Sequence, residues 1–74
     1  MGAGFVSGEG RTRHDAVENL RHKVHANGGE VHCDRENICY VRDANGVKFR
    51  ITLTEFHTTD GRPYWQATQG VTAF

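Results

Sequence analysis

The chain is 74 residues long and carries nine Lys and Arg against nine Asp and Glu, so its formal net charge is zero. A chain this short buries only about 60% of the surface its unfolded form exposes, which limits it to a single domain over residues 1–74 with one core. Zero net charge excludes a global field that would steer the molecule onto DNA or anionic lipid, and leaves local segregation of charge as the electrostatic route to a nucleic acid.

Hydrophobic residues make up 36% of the chain and charged residues 24%, an ordinary globular balance. No apolar run approaches the roughly 18 residues of a membrane span, and the start lacks the charged-then-apolar pattern of a signal peptide. Two cysteines are too few for a secreted disulfide scaffold. These features lead to the expectation of a soluble, cytoplasmic protein in a reducing compartment, with no membrane partner.

In chain order, the first ten residues hold four glycines around Phe5 and Val6 and read as a short, irregular strand running into a turn. They are not a phosphate-binding loop, because no lysine-serine or lysine-threonine pair follows. Thr12 has the chemistry of a helix N-cap, with Asp15 three residues on, so a helix is expected from Arg13. Ala16, Val17, Leu20 and Val24 recur at three- and four-residue steps as its apolar stripe, and Asn27 with Gly28 supplies a left-handed stop.

After Gly29 the period changes to two, with strands expected at about 30–33, 38–43, 47–56 and 64–71. Asn45-Gly46 suits a two-residue type I′ turn. That turn pairs Arg42 with Phe49, Tyr40 with Ile51 and Ile38 with Leu53 on the core face, and turns Cys39 and Val41 outward. With 34–37 as a loop, Cys33 lies on the core face and faces away from Cys39, so a disulfide between them is not expected. His32 then stands opposite Cys39.

The last hairpin offers two registers. A two-residue Asp60-Gly61 turn puts Trp65 outside. A three-residue loop ending at a left-handed Gly61 pairs Leu53 with Ala67 and aligns Trp65 and Val71 with the core; it is preferred, because burying an indole is favourable at about 25 cal/mol per Å2. The expected fold is therefore α+β, β-α-β-β-β, one helix packed on an antiparallel sheet, with Phe49, Ile51, Leu53, Tyr40 and Trp65 beneath the helix.

Two surfaces are candidates for binding. On the helix side, Arg11, Arg13, Arg21 and Lys23 with neighbouring histidines are locally cationic, although a solvated charged face is the ordinary condition of such a helix. On the outer sheet face, Lys48, Arg50, Thr52, Thr54 and Phe56 lie beside Tyr64, Gln66 and Thr68. Basic residues interleaved with aromatics can contact phosphates and stack bases, whereas polar alternation alone marks any half-buried strand. His22, His25, His32, Cys33 and Cys39 lack the spacing of a zinc site. A His32–Cys39 pair lacks a third orienting group, so no catalytic residue, metal or cofactor is expected.

The stretch from Gly4 to Leu20, with Gly8 and Gly10 in the turn, Thr12 as cap and Ala16-Val17-Glu18-Asn19-Leu20 in the helix, resembles the strand, turn and helix start of HicB-type antitoxins. The resemblance covers under a third of the chain. It implies an interaction domain that inhibits an RNase partner and helps repress DNA, with no catalytic residues to transfer.

The expected function is a small non-enzymatic protein-binding module, such as an inhibitor or antitoxin-like partner of a larger nucleic-acid-handling machine. The alternative is a nucleic-acid-binding domain using Lys48, Arg50, Phe56, Tyr64 and Gln66, or the basic helix face; a small metal protein or enzyme ranks last. A helix of about 14 residues is about 21 Å long and 10 Å wide and cannot cover four strands spaced about 4.8 Å apart. A symmetric homodimer is therefore expected, through an edge strand at 64–69 or through the uncovered core face.

Overall fold

The computed structural model describes residues 6–36 and 38–73, the last three without their side chains. One helix packs on a five-stranded antiparallel sheet, the expected α+β arrangement. The elements are β1 (Ser7–Gly10), α1 (Arg13–Ala26), β2 (Glu30–Cys33), β3 (Cys39–Arg42), β4 (Lys48–His57) and β5 (Pro63–Ala73), with the strands in the spatial order β1-β5-β4-β3-β2. All four strand segments expected after the helix form, each within about two residues of its expected ends.

The helix forms as its residues dictate. Thr12 is extended, and its hydroxyl accepts from the Asp15 amide at 3.0 Å. At the other end the Gly29 amide donates to the Val24 carbonyl and the Gly28 amide to that of His25, the paired bonds of a Schellman stop, with Gly28 at φ +84°. Ala16, Val17, Leu20 and Val24 are all buried, and the core is completed by Val31, Cys39, Val41, Ile51 and Ala67, with Phe49, Leu53 and Trp65 packed at its margin. β1 lies so close beneath the helix that a Cβ on Gly8 would meet the backbone of Ala16, Asn19 and Leu20. Only glycine fits there.

The β4–β5 hairpin has the expected register. Thr58 and Arg62 close a three-residue loop with Gly61 at φ +85°, and Leu53 stands opposite Ala67. The β3–β4 hairpin does not follow expectation. Its loop is also three residues long: the Asp43 amide donates to the Val47 carbonyl, the Gly46 amide donates back to Asp43, and Gly46 sits at φ +84°. The Asp43 carboxylate causes the difference, since it accepts from the amides of Asn45 and Val47 at 2.9 Å each and stabilises a type I turn closed by a left-handed glycine. Arg42 therefore pairs with Lys48, Val41 with Phe49 and Tyr40 with Arg50.

The β2–β3 connection is shortened by the same chemistry. The Asp34 amide bonds to the Ile38 carbonyl, and the Asp34 carboxylate accepts from the amides of Glu36 and Ile38. Cys33 then pairs with Cys39, and His32 with Tyr40 rather than with Cys39. Each loop differs from expectation by one residue, and together they turn β3 over while leaving β2 and β4 in phase. Cys39 and Val41 face the core, Tyr40 and Arg42 face outward, and Ile38 is 51% exposed.

Three further expectations are corrected. Cys33 and Cys39, with Cα atoms 4.0 Å apart, form a disulfide. His32 does not stand opposite Cys39, its expected cross-strand partner. β5 is not an edge strand, being flanked by β1 and β4; the sheet edges are β1 and β2. The expected core role of Val71, the expected contribution of the end of the chain and most of the glycine-rich start lie outside the described side chains.

Both edges are latched by the helix. Asn19 Nδ2 donates to the Glu9 carbonyl, and Lys23 Nζ donates to that of Ser7 at 2.7 Å. Those carbonyls are two residues apart on β1 and their partners four apart on α1, so one helical turn spans one strand repeat. On the opposite edge, Arg21 Nη1 donates to the Val31 carbonyl at 3.1 Å, while its Nε holds Glu18 at 3.0 Å. Carbonyls that would otherwise template another strand are thereby occupied.

Candidate functional site

Alternation along the strands separates two faces. Odd-numbered positions of β4 face the helix, and even-numbered positions face away from it, so Lys48, Arg50, Thr52, Thr54 and Phe56 share the outer face with Tyr64, Gln66 and Thr68 of β5. The structure thus brings together the expected outer-face residues Lys48, Arg50, Phe56, Tyr64 and Gln66. The inversion of β3 adds Tyr40 and Arg42, and β2 adds His32.

This face is organised as two aromatic pairs with cations beside one of them. His32 stacks on Tyr40 with ring centroids 5.4 Å apart and an interplanar angle of 26°, and Lys48 Nζ stands 5.2 Å from the Tyr40 centroid. Arg50 and Arg42 are the cross-strand neighbours of Tyr40 and Lys48. The Glu30 carboxylate accepts from the His32 ring nitrogen Nε2 at 3.1 Å. At the other end Phe56 stacks on Tyr64, with centroids 5.3 Å apart at 20°, and Phe56 is 38% exposed. Thr54 opposite Gln66 and Thr52 opposite Thr68 lie between the pairs. Six residues of β4 separate the two ends, a span of about 20 Å at about 3.3 Å per residue.

The helix-side candidates lie on the opposite side of the sheet and are not gathered with these. Arg13 stands over the Trp65 ring, with its guanidinium carbon 5.6 Å from the centroid. Arg21 and Lys23 point to opposite sheet edges as latches. Arg11 is exposed in the turn before the helix. In the β4–β5 loop, the Thr58 hydroxyl donates to the Asp60 carboxylate and holds its pKa below the ordinary value, with Arg62 Nε 3.4 Å away.

Among the described residues, no group of three or more His, Cys, Asp or Glu side chains is placed to hold a metal ion. No described helix is long and apolar enough to cross a membrane. Tyr40 and Arg42 were missed as members of the outer face because the phase of β3 hung on two loop lengths, whereas His32 lies on the outer face as expected. The usable signal was the pair of aspartates opening those loops, together with the cost of pointing Arg42 into a core. Comparison with protein-family models, curated proteins and solved structures returns no match.

Proposed function

We propose that the chain is a small non-enzymatic binding module whose working surface is the outer face of the sheet, and that this face takes single-stranded nucleic acid. The observation that carries the reading is the pairing of two cross-strand stacks, His32–Tyr40 and Phe56–Tyr64, on one open face with Lys48 beside the Tyr40 ring. Bases stack on exposed aromatic faces with little regard to sequence, and flanking cations hold the phosphates. A span of about 20 Å suits a run of about four nucleotides or more. Arg42, Lys48 and Arg50 supply the local positive charge that the neutral chain as a whole lacks.

Titration of a fluorescent oligothymidylate of about ten nucleotides tests this reading. Binding should weaken as salt rises, and duplex of the same length should bind less well. Absence of binding at low salt, or binding that Tyr40→Ala and Phe56→Ala leave unchanged, would remove it.

A second reading, a protein-binding module acting as an inhibitor or antitoxin-like partner, is favoured by the exposure of Ile38 and Val47, at 51% and 38%. The resemblance of the Gly4 to Leu20 stretch to HicB-type antitoxins belongs with it, as does homodimer formation through the uncovered core face. Light scattering at tens of micromolar separates the states: a mass of 8.3 kDa would exclude the dimer. A cytoplasmic location is part of both readings.

A further inference from the structure

We infer that Cys33 and Cys39 form a reactive dithiol–disulfide couple, open to exchange with small thiols through a groove between α1 and the β2–β3 hairpin. The inference does not depend on what the outer face binds. The two sulfurs are joined across the end of an edge strand, with Cys33 exposed and Cys39 only 6% exposed. A groove of about 350 Å3 reaches both cysteines and is bordered on the helix side by Arg13, His14, Val17 and Arg21. That volume lies within the roughly 300–1,000 Å3 of sites that take small molecules.

The charge around the groove favours exchange. Arg13 and Arg21 carry two positive charges against the one of Glu18, which holds Arg21 at 3.0 Å. Guanidinium groups at the mouth of the groove attract an incoming thiolate toward the exposed Cys33 sulfur, which speeds thiol–disulfide exchange.

The exchange balances without any further reagent. A small-molecule thiolate attacks the exposed Cys33 Sγ, forming a mixed disulfide and breaking the Cys33–Cys39 bond, whose electron pair leaves on Cys39 as a thiolate. A second thiolate attacks the external sulfur of the mixed disulfide and releases Cys33. The two protein thiolates take up the protons lost by the two small thiols. The protein disulfide is reduced by two electrons, and the small thiols are oxidised to their own disulfide.

Reduced glutathione serves as the probe. The oxidised full chain is exposed to it when folded and again when unfolded in urea; samples are quenched by alkylation, and free thiols are counted by mass. The folded protein should react at least as fast as the unfolded chain. Arg13→Gln should slow the folded-state reaction by about threefold, and Arg13→Lys, which retains the charge, should stay within about twofold of the parent. A folded-state rate slower than that of the unfolded chain would overturn the proposal, because the disulfide would then be protected by the fold. Equal rates for Arg13→Gln and the parent would also overturn it, by removing the cationic groove as the cause.

Discussion

The two faces of the sheet follow opposite rules. On the inner face Leu20 and Ala67 have no exposed surface, Val41 only 2%, and β1 approaches the helix backbone so closely that Gly8 has no room for a side chain. On the outer face the large side chains are half-buried or exposed and form the His32–Tyr40 and Phe56–Tyr64 stacks. Stability therefore resides on one face, and the other is left with aromatic and cationic chemistry that the fold hardly needs. A surface of that kind can be altered without loss of the scaffold, which makes the comparison testable by substitution.

The largest expected effect is at the closest approach. Gly8→Val would push β1 off the helix backbone and cost most or all of the roughly 4–11 kcal/mol available to a domain of this size, so circular dichroism should report loss of the native fold. Leu20→Ala, at a fully buried position, should cost about 2–5 kcal/mol in urea unfolding.

The middle of the range concerns what joins the faces. Asp43→Ala removes the acceptor for two turn amides and should cost about 1–2 kcal/mol. Amide exchange should locate that loss in the β3–β4 ladder rather than in β4–β5. The smallest effect is expected outside: Phe56→Ala should lower stability by no more than about 1 kcal/mol, the worth of an exposed aromatic pair, while weakening oligonucleotide binding about tenfold. A large loss of stability at Phe56 would erase the distinction between the faces.

How far the sequence discloses this division depends on which interactions are local. The helix is legible from Thr12 to Gly28 because its cap, stripe and stop are each decided within a few residues. β4 and β5 are legible because burial of Trp65 selects the three-residue Gly61 loop. β3 is not, because Asn45-Gly46 suits two turns that differ by one residue, and the choice rests on the Asp43 carboxylate reaching two amides beyond it. The Cys33–Cys39 disulfide and the outward placement of Tyr40 follow from that same residue count. The latches of Asn19, Lys23 and Arg21 on strand carbonyls 10 to 16 residues away have no sequence period at all. The outer-face residues of β2, β4 and β5 were accordingly readable in advance, and those contributed by β3, Tyr40 and Arg42, were not.

The central claim is that binding belongs to the outer face, and side-chain NMR during titration with oligothymidylate tests it most directly. The ring signals of Tyr40, Phe56 and Tyr64 should move together as ligand is added, while the methyl signals of Leu20 and Val41 and the indole of Trp65 stay in place. Movement centred instead on Arg13, Arg21 and Lys23, or no movement at any ligand concentration, would contradict the account.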